Sequence, residues 1–275
     1  MKRFMALVFL AFSGAGVVNA ATDEYPLRVR YPDAPIIGTQ ELAQRIDAVT
    51  VIDVRSKYEF DTLHVKGAVN VPLSRSGFGE AIARLRETDK KPFVFYCNGK
   101  TCHKSYDAVL LAMRARVNDV FSYDAGILDW AKAHPDRTVL LGRSPIQPSE
   151  LIDEGKFKAH LLEPKDFAAR AEGNTIILDV RDRVQRDTPL FPFKERRAEL
   201  GEIKKLDAVI EEAKQTKKTL LVYDAVGKQV EWFQYHLESR GLKDYYFMNG
   251  GSQRYFDDTL GKVVLGGEGA SKVAK

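Results

Sequence analysis

The chain has two cysteines, Cys97 and Cys102, and both lie in one short segment of its 275 residues. Cys97 follows the apolar run Phe93–Tyr96, which predicts a buried strand, and a glycine-containing turn comes next. The pattern after the turn is amphipathic and predicts a helix. A thiol at the carboxyl end of this strand would face loop amides and a helix N-terminus, which stabilise anions. We therefore predict a reactive thiolate at Cys97, with a pKa below the ~8.5 of a free cysteine.

A disulfide between Cys97 and Cys102 is the alternative use of this pair. The separation in sequence permits the bond, because a turn can bring the two side chains together. The bond could be purely structural, or it could belong to redox chemistry at the strand end. A metal site built from Cys97, Cys102 and His103 is not expected, because only three candidate ligands cluster and the adjacent Cys102 and His103 bind one ion awkwardly.

Short apolar runs alternate with helical patterns around these cysteines. The predicted strands are Val49–Asp53, Ala68–Val71, Phe93–Tyr96 and Asp119–Ser122, and the predicted helices are Thr39–Ile46, Phe78–Arg86, Cys102–Arg116 and Ile127–Ala133. Thr39 is expected to be the N-cap of the first helix. The alternation predicts an α/β fold, a mostly parallel sheet flanked by helices, with ligands at the carboxyl ends of the strands.

The chain also contains an internal repeat. The segment that ends in Asp53-Val-Arg recurs at Asp179-Val-Arg, and FVFYC ending at Cys97 recurs as LLVYD ending at Asp224. The nearly constant offset predicts two tandem domains. With the turn-rich segment 142–148 as the boundary, we expect domain 1 over residues 21–143, domain 2 over 144–265, and a flexible tail over 266–275.

The N-terminal segment predicts export. Lys2 and Arg3 precede an apolar run that ends near Ala20, and small residues at Val18 and Ala20 fit a cleavage site. The run is shorter than the ~20 residues of a membrane-spanning helix, so we expect a signal peptide over residues 1–20, a periplasmic location and no membrane span after cleavage. The net charge of +4 is weak and gives no indication of nucleic acid as a partner.

The residues of the first copy resemble the rhodanese family of sulfurtransferases. The resemblance rests on VIDVRSKYEFDTLHVKGAVNVPL (Val51–Leu73), on the cysteine after VFY, and on YDAGILDW (Tyr123–Trp130). The loop is similar to a periplasmic Cys-x4-Cys-Trp type, with His103 in place of the Trp. The resemblance implies a thiosulfate-like anionic donor, a Cys97 persulfide, a thiol, protein thiol or cyanide as acceptor, and no cofactor.

The resemblance also implies roles for the residues around Cys97. Cys102 would be a resolving thiol that attacks the persulfide and releases sulfide. The expected substrate-binding residues are Asn98, Gly99, Lys100, Thr101 and His103, and the expected structural supports are Asp53, Arg55 and His64. The loop is about two residues longer than the usual family loop and has lysines where an Arg is common. A phosphatase, which would need Arg six residues after the cysteine, is not expected because His103 stands there.

The second copy departs further from the family pattern. Asp224 occupies the position of the nucleophile, and a carboxylate cannot carry sulfane sulfur, so this copy is expected to be inactive. The charged run Lys194–Glu199 within it is expected to be a solvated helix face. The sequence therefore predicts an exported sulfurtransferase. The alternatives are a periplasmic thiol–disulfide protein that uses Cys97 and Cys102, and a non-catalytic rhodanese-like protein that binds a partner.

Overall fold

The computed structural model describes residues 24–186 and 188–260. The predicted signal peptide and the predicted tail lie outside the described residues. By their packing, the described residues form two units, of which the first comprises 24–55 and 67–130 and the second comprises 56–66 and 131–260. This division assigns Ser56–Lys66 to the later residues of the chain, whereas the sequence repeat places the boundary near residue 143. The two tandem domains stay a prediction, and each unit is described by itself.

The described residues contain ten α-helices and eleven strands. The helices are α1 (Thr39–Arg45), α2 (Lys57–Thr62), α3 (Phe78–Thr88), α4 (Lys104–Arg114), α5 (Gly126–Ala133), α6 (Glu154–Lys158), α7 (Pro164–Arg170), α8 (Ile203–Thr216), α9 (Val230–Ser239) and α10 (Gly251–Leu260). The strands are β1 (Thr50–Asp53), β2 (Leu63–Val65), β3 (Val69–Asn70), β4 (Phe93–Tyr96), β5 (Val120–Tyr123), β6 (Thr138–Leu140), β7 (Leu161–Leu162), β8 (Thr175–Asp179), β9 (Glu195–Arg197), β10 (Thr219–Tyr223) and β11 (Tyr245–Met248). None of these described helices is long and apolar enough to cross a membrane.

The sheet of the first unit has the order β3-β1-β4-β5, and all of its strands are parallel. The central strand β4 is fully buried, as expected for a strand that helices cover on both faces. Asp53 at the end of β1 is paired in register with Tyr96 at the end of β4. The residue after β4 is Cys97, so the register brings the Asp-Val-Arg segment and the cysteine loop to one edge of the sheet.

The sheet of the second unit has the order β7-β11-β10-β8-β9 and is also parallel throughout. The first unit has the same order when the isolated parallel bridge between Ile36 and Ser122 is placed beside β5. A separate antiparallel pair, β2 with β6, belongs to the second unit. The predicted fold class, α/β with mostly parallel sheets flanked by helices, is confirmed.

Two local predictions are wrong. The N-cap of α1 is Gly38, and the Thr39 hydroxyl lies 3.0 Å from the Tyr123 hydroxyl instead of capping the helix. The charged run Lys194–Glu199 is no helix face, since Glu195–Arg197 forms β9 beside β8. Glu195 has a side chain only 2% exposed, and it accepts hydrogen bonds from the Tyr223 hydroxyl at 2.6 Å and from Arg197. These hydrogen bonds satisfy the buried carboxylate of Glu195 within the strand.

His236 in α9 makes the second unit sensitive to acid. It is buried, and its Nε2 lies 2.7 Å from Asp207 Oδ1. Burial lowers the pKa of His236 below its ordinary 6.5, and Asp207 opposes this change only in part. As the pH falls, the unfolded chain binds the proton first, so the stability present above about pH 6.5 is lost towards the lower folded-state pKa.

We expect the free energy of unfolding to decrease from about pH 7 to about pH 5, and His236→Gln to flatten that slope. Urea denaturation at a series of pH values measures the free energy of unfolding of the wild type and of His236→Gln. Equal slopes for the wild type and the variant would show that another group sets the acid sensitivity.

Candidate active site

The cysteine loop joins the end of β4 to the start of α4. Cys97 is 1% exposed, and its carbonyl oxygen accepts a hydrogen bond from the Ile127 amide at 3.0 Å. The Cys102 amide donates to the Gly99 carbonyl oxygen at 2.8 Å, which closes a tight turn inside the loop. The helix begins at Lys104, seven residues after Cys97, and not at Cys102 as the sequence pattern indicated. The predicted loop after a buried strand is present, whereas the binding of an anion by its amides stays a prediction.

Cys97 and Cys102 form a disulfide, with a Cα–Cα distance of 6.4 Å. Cys97 is packed into the core of the first unit, whereas Cys102 is only partly buried. An external thiolate would therefore reach Cys102 more readily than Cys97. Attack on the Cys102 sulfur would release Cys97 as the leaving thiolate.

Two buried serines lie behind Cys97. The Ser122 hydroxyl donates to the Ser105 hydroxyl at 3.0 Å, and Ser105 Oγ lies 3.8 Å from Cys97 Sγ. A disulfide sulfur carries no proton, so Ser105 is the donor in this weak contact. In the reduced protein the same hydroxyl would donate to a Cys97 thiolate and help to hold its charge. No role was predicted for these serines, because nothing in their spacing relates them to the cysteine.

Two basic side chains of the loop, Lys100 and His103, contact carboxylates. Lys100 Nζ lies 2.8 Å from Glu24 and 3.2 Å from Asp129, and the hydrogen bond that Lys100 donates to Glu24 is the main cause that raises the Lys100 pKa. His103 Nδ1 lies 2.6 Å from Asp107 Oδ2 on the exposed side of α4. Because these carboxylates offset much of the positive charge, the loop attracts a dianion less strongly than its sequence indicates. The other predicted loop residue, Thr101, is exposed.

The buried pair Asp53 and Arg55 is joined directly to the loop. Both side chains are 0% exposed, and Arg55 makes a two-point contact with Asp53, with Nη2–Oδ2 at 2.6 Å and Nε–Oδ1 at 2.9 Å. Arg55 Nη1 also donates to Asn98 Oδ1 at 3.3 Å, which fixes the residue next to Cys97. These contacts support the predicted role of Asp53 and Arg55 in ordering the loop, which stays a prediction. Asp179 and Arg181 form the same kind of pair in the second unit.

His64, the third predicted support, belongs to the second unit by packing. It lies in β2, its Nδ1 is 2.6 Å from the Phe60 carbonyl oxygen, and its ring stacks on Phe60 at 4.0 Å. His64 is partly buried, whereas it was predicted to be a buried residue that orders the loop region. Among the residues that the structure describes, no group of three His, Cys, Asp or Glu side chains could hold a metal ion.

Asp224 fills the corresponding loop of the second unit with its own carboxylate. Its oxygens accept hydrogen bonds from the backbone amides of Gly227, of Gln229 at 2.6 Å and of Val230 at 3.2 Å, the last two at the start of α9. Its carbonyl oxygen accepts from the Ser252 amide, as that of Cys97 does from Ile127. The loop after the central strand thus holds an anion in this unit, and the anion is part of the chain.

Gly126 permits the close approach of α5 to the cysteine loop. Its φ is +73°, and a Cβ there would lie 2.4 Å from the Gly99 nitrogen. We expect Gly126→Ala to displace the loop and to lower the rate of Cys97 alkylation in the reduced protein at least several-fold, because the backbone of the loop must shift.

Gly67→Ala is the matched control, since Gly67 has a φ of +83° with no atom within 4 Å of the added Cβ. It should lower stability by about 1 kcal/mol and leave the alkylation rate unchanged. Alkylation is followed by mass spectrometry. Equal rates for the two variants would contradict the role of the close approach.

Comparison with known proteins agrees with this geometry. Residues 38–133 match the family model of the rhodanese-like domain. The HTH-type transcriptional regulator Rv0324 of Mycobacterium tuberculosis is 33% identical over 127 residues, which cover 42% of this chain and 54% of that protein. The probable adenylyltransferase/sulfurtransferase MoeZ of the same species is 33% identical over 99 residues, which cover 35% of this chain and 24% of that protein. The chain thus spans about half, or less, of the length of these relatives.

Solved structures of low similarity were also found. The thiosulfate sulfurtransferase of Pseudomonas aeruginosa matches with 18% identity and a TM-score of 0.35 over 84% of this chain and 46% of its own. The human single-domain sulfurtransferase TSTD1 matches with 24% identity and a TM-score of 0.30 over 36% of this chain and 96% of its own.

The part of the chain that carries Cys97 is therefore an α/β domain with a cysteine loop at the carboxyl edge of a parallel sheet. Residues 38–133 are a rhodanese-like domain.

Proposed function

We propose that this protein is an exported sulfurtransferase that acts through a persulfide on Cys97. The observation that carries the proposal is the position of Cys97, which directly follows β4 inside a rhodanese-like domain. Ser105 lies beside its sulfur, and Cys102 lies within bonding distance. The name of the relative MoeZ includes sulfurtransferase, which supports sulfur transfer as the class of reaction.

The proposed reaction has two half-reactions. The Cys97 thiolate attacks the outer sulfur of thiosulfate, the sulfur–sulfur bond of the donor breaks, and sulfite leaves with the electron pair. The outer sulfur of the persulfide is then attacked by a thiol or by cyanide, and Cys97 leaves as the thiolate. No cofactor takes part. Asn98, Gly99, Lys100, Thr101 and His103 would surround the donor, and Lys100 would have to exchange a carboxylate partner for it.

Cys102 offers the persulfide a second outcome. Its thiolate attacks Cys97 Sγ, HS⁻ leaves, and the disulfide of the structure forms. An external thiolate then attacks the more accessible Cys102 sulfur and releases the Cys97 thiolate, and a second thiol frees Cys102 as an external disulfide forms. Two electrons from the thiols thus accompany each sulfide released.

The second candidate function is thiol–disulfide exchange with no sulfur transfer. The closed disulfide and the carboxylates around Lys100 favour it, because neither supports the binding of a small dianion. A third candidate is a protein that binds a partner without catalysis. For the residues after 143, we propose a second, inactive rhodanese-like domain, on the grounds of the matching strand order and of Asp224 in the loop. Export with cleavage after Ala20 would place all of this in the periplasm.

Mass spectrometry of the mature protein tests the proposal. The protein is first reduced, freed of reductant, and then incubated with thiosulfate. Addition of one sulfur atom supports sulfur transfer. Loss of two hydrogens together with equimolar release of sulfide supports the resolving role of Cys102. No change in mass, in a protein that still exchanges with dithiols, would overturn sulfur transfer in favour of the second candidate. The intact mass also reports the cleavage site.

A further inference from the structure

The second unit has a pocket of about 500 Å³ whose lining side chains are all charged. Four are cations and two are carboxylates, and they are Arg183, Arg186, Arg197, Glu199, Glu202 and Lys205. This excess of positive charge within one concave site is unusual in a chain whose overall charge is nearly balanced. A pocket with this composition fits a small anion.

Arg186 supplies the strongest indication. Its Nε and Nη2 atoms are enclosed by protein and have no hydrogen-bond partner within the described part of the chain. These two N–H groups lie on the same edge of the guanidinium and together match two oxygens of a carboxylate, sulfate or phosphate. Enclosed charged donors that lack an acceptor cost free energy, and an anion bound to Nε and Nη2 would remove this cost.

Both carboxylates of the pocket already accept hydrogen bonds from the chain. Glu199 Oε1 accepts a hydrogen bond from the Arg183 amide at 3.1 Å. Glu202 accepts one from the Glu199 amide at 2.9 Å and pairs with Lys205. The guanidinium of Arg197 is paired through Nε and Nη2 with Glu195. None of these groups accepts a hydrogen bond from Nε or Nη2 of Arg186.

Two further features add positive potential. The guanidinium of Arg183 is exposed and makes no hydrogen bond or ion pair with any described residue. The fourteen-residue helix α8 begins directly after Glu202, and its first turn contains no acidic residue. The pocket adjoins the positive end of this helix dipole, which the carboxylate of the N-cap residue Glu202 partly offsets.

We propose that this pocket binds a free tetrahedral oxyanion. On binding, Arg186 would turn its enclosed Nε and Nη2 edge into the pocket and bind two oxygens, Arg183 would close over the exposed side, and the start of α8 would add its dipole. The site is separate from the cysteines, so it does not depend on the proposed sulfur transfer.

Isothermal titration calorimetry on the full-length mature protein tests the proposal. Sodium sulfate, phosphate and thiosulfate are titrated separately at constant ionic strength, with chloride as the reference anion. The protein is kept in the disulfide form, so that the cysteines cannot react with thiosulfate. We expect saturable binding of one equivalent. The order of affinities then distinguishes a general sulfate or phosphate site from one that prefers the proposed sulfur donor.

Three variants test the assigned contacts. Arg186→Gln should raise the dissociation constant about ten-fold or more, because it removes two charge-assisted hydrogen bonds. Arg186→Lys keeps the charge but loses the two-point edge, so it should also weaken binding several-fold. Arg183→Gln changes an exposed side chain and should weaken binding several-fold. Arg114→Gln, which removes an exposed arginine from the first unit, should leave binding unchanged.

The proposal fails if no anion binds more tightly than chloride, or if Arg183→Gln and Arg186→Lys bind as the wild type does. It also fails if binding is absent in the wild type but is gained in Asp187→Asn. In that case the carboxylate adjoining Arg186 in sequence would already be its partner.

Discussion

Cys97→Ser should abolish all sulfur uptake from thiosulfate, whereas Cys102→Ser should retain it and accumulate the persulfide. The reason lies in the separate positions of the two thiols, since Cys97 is in the core beside Ser105 and Cys102 is in the partly exposed turn. Loss of a covalent nucleophile typically removes at least about three orders of magnitude in rate. Loss of the resolving thiol removes only the step that releases sulfide.

Single-turnover mass spectrometry with a sulfide assay measures both effects. Ser105→Ala serves as a graded comparison, because it removes the hydroxyl beside Cys97 Sγ and keeps both cysteines. It should slow alkylation of Cys97 at a fixed pH by raising the thiol pKa. If Cys102→Ser instead takes up no sulfur and loses all exchange with dithiols, the pair is a redox couple and the sulfurtransferase assignment is wrong.

Asp224→Ala should destabilise the second unit by about 2–4 kcal/mol, since it leaves three inward-facing backbone amides without an acceptor. Asp224 is buried, with only 2% of the residue exposed, so water cannot readily replace its carboxylate as the acceptor. Asp224→Asn retains one acceptor oxygen but turns an N–H₂ group towards amide donors, and it should cost nearly as much.

Asp258→Ala is the control for removing one carboxylate from the same unit. Asp258 is exposed, and its ion pair with Arg254 is long, at 3.8 Å. This control should change stability by less than about 0.5 kcal/mol. Urea denaturation followed by tryptophan fluorescence measures both variants, with Trp232 reporting the second unit and Trp130 the first. If Asp224→Ala loses no more stability than the control does, the loop does not need an internal anion.

The sequence was sufficient for the sheet and for the position of Cys97. The strand pattern predicted β4 with its observed bounds, and Asp53 was placed at the same sheet edge. The repeat relates Cys97 to Asp224, and each of these residues follows a central strand of its own sheet, whereas the two tandem domains stay a prediction. These features depend on local hydrophobic periodicity and on short-range spacing, which a single chain records directly.

What the sequence did not reveal depends on contacts between distant residues. The pairing of Lys100 with Glu24 and Asp129 follows from how the N-terminal segment and α5 pack, and no local pattern indicates it. The charged run at Glu195 was misinterpreted because its pairing with β8 and its hydrogen bond from Tyr223 in β10 join residues that are distant in sequence. The disulfide was permitted by spacing, but spacing alone could not decide between the open and the closed pair.

The closed cysteine pair has a practical consequence for anyone who measures this protein. Under the proposed sulfur transfer, a molecule takes up sulfur only while the pair is reduced, and the surrounding thiol–disulfide couple sets the proportion of reduced molecules. Turnover numbers taken from material purified in air would therefore describe a mixture. Normalising to the titrated sulfhydryl content would recover the intrinsic rate.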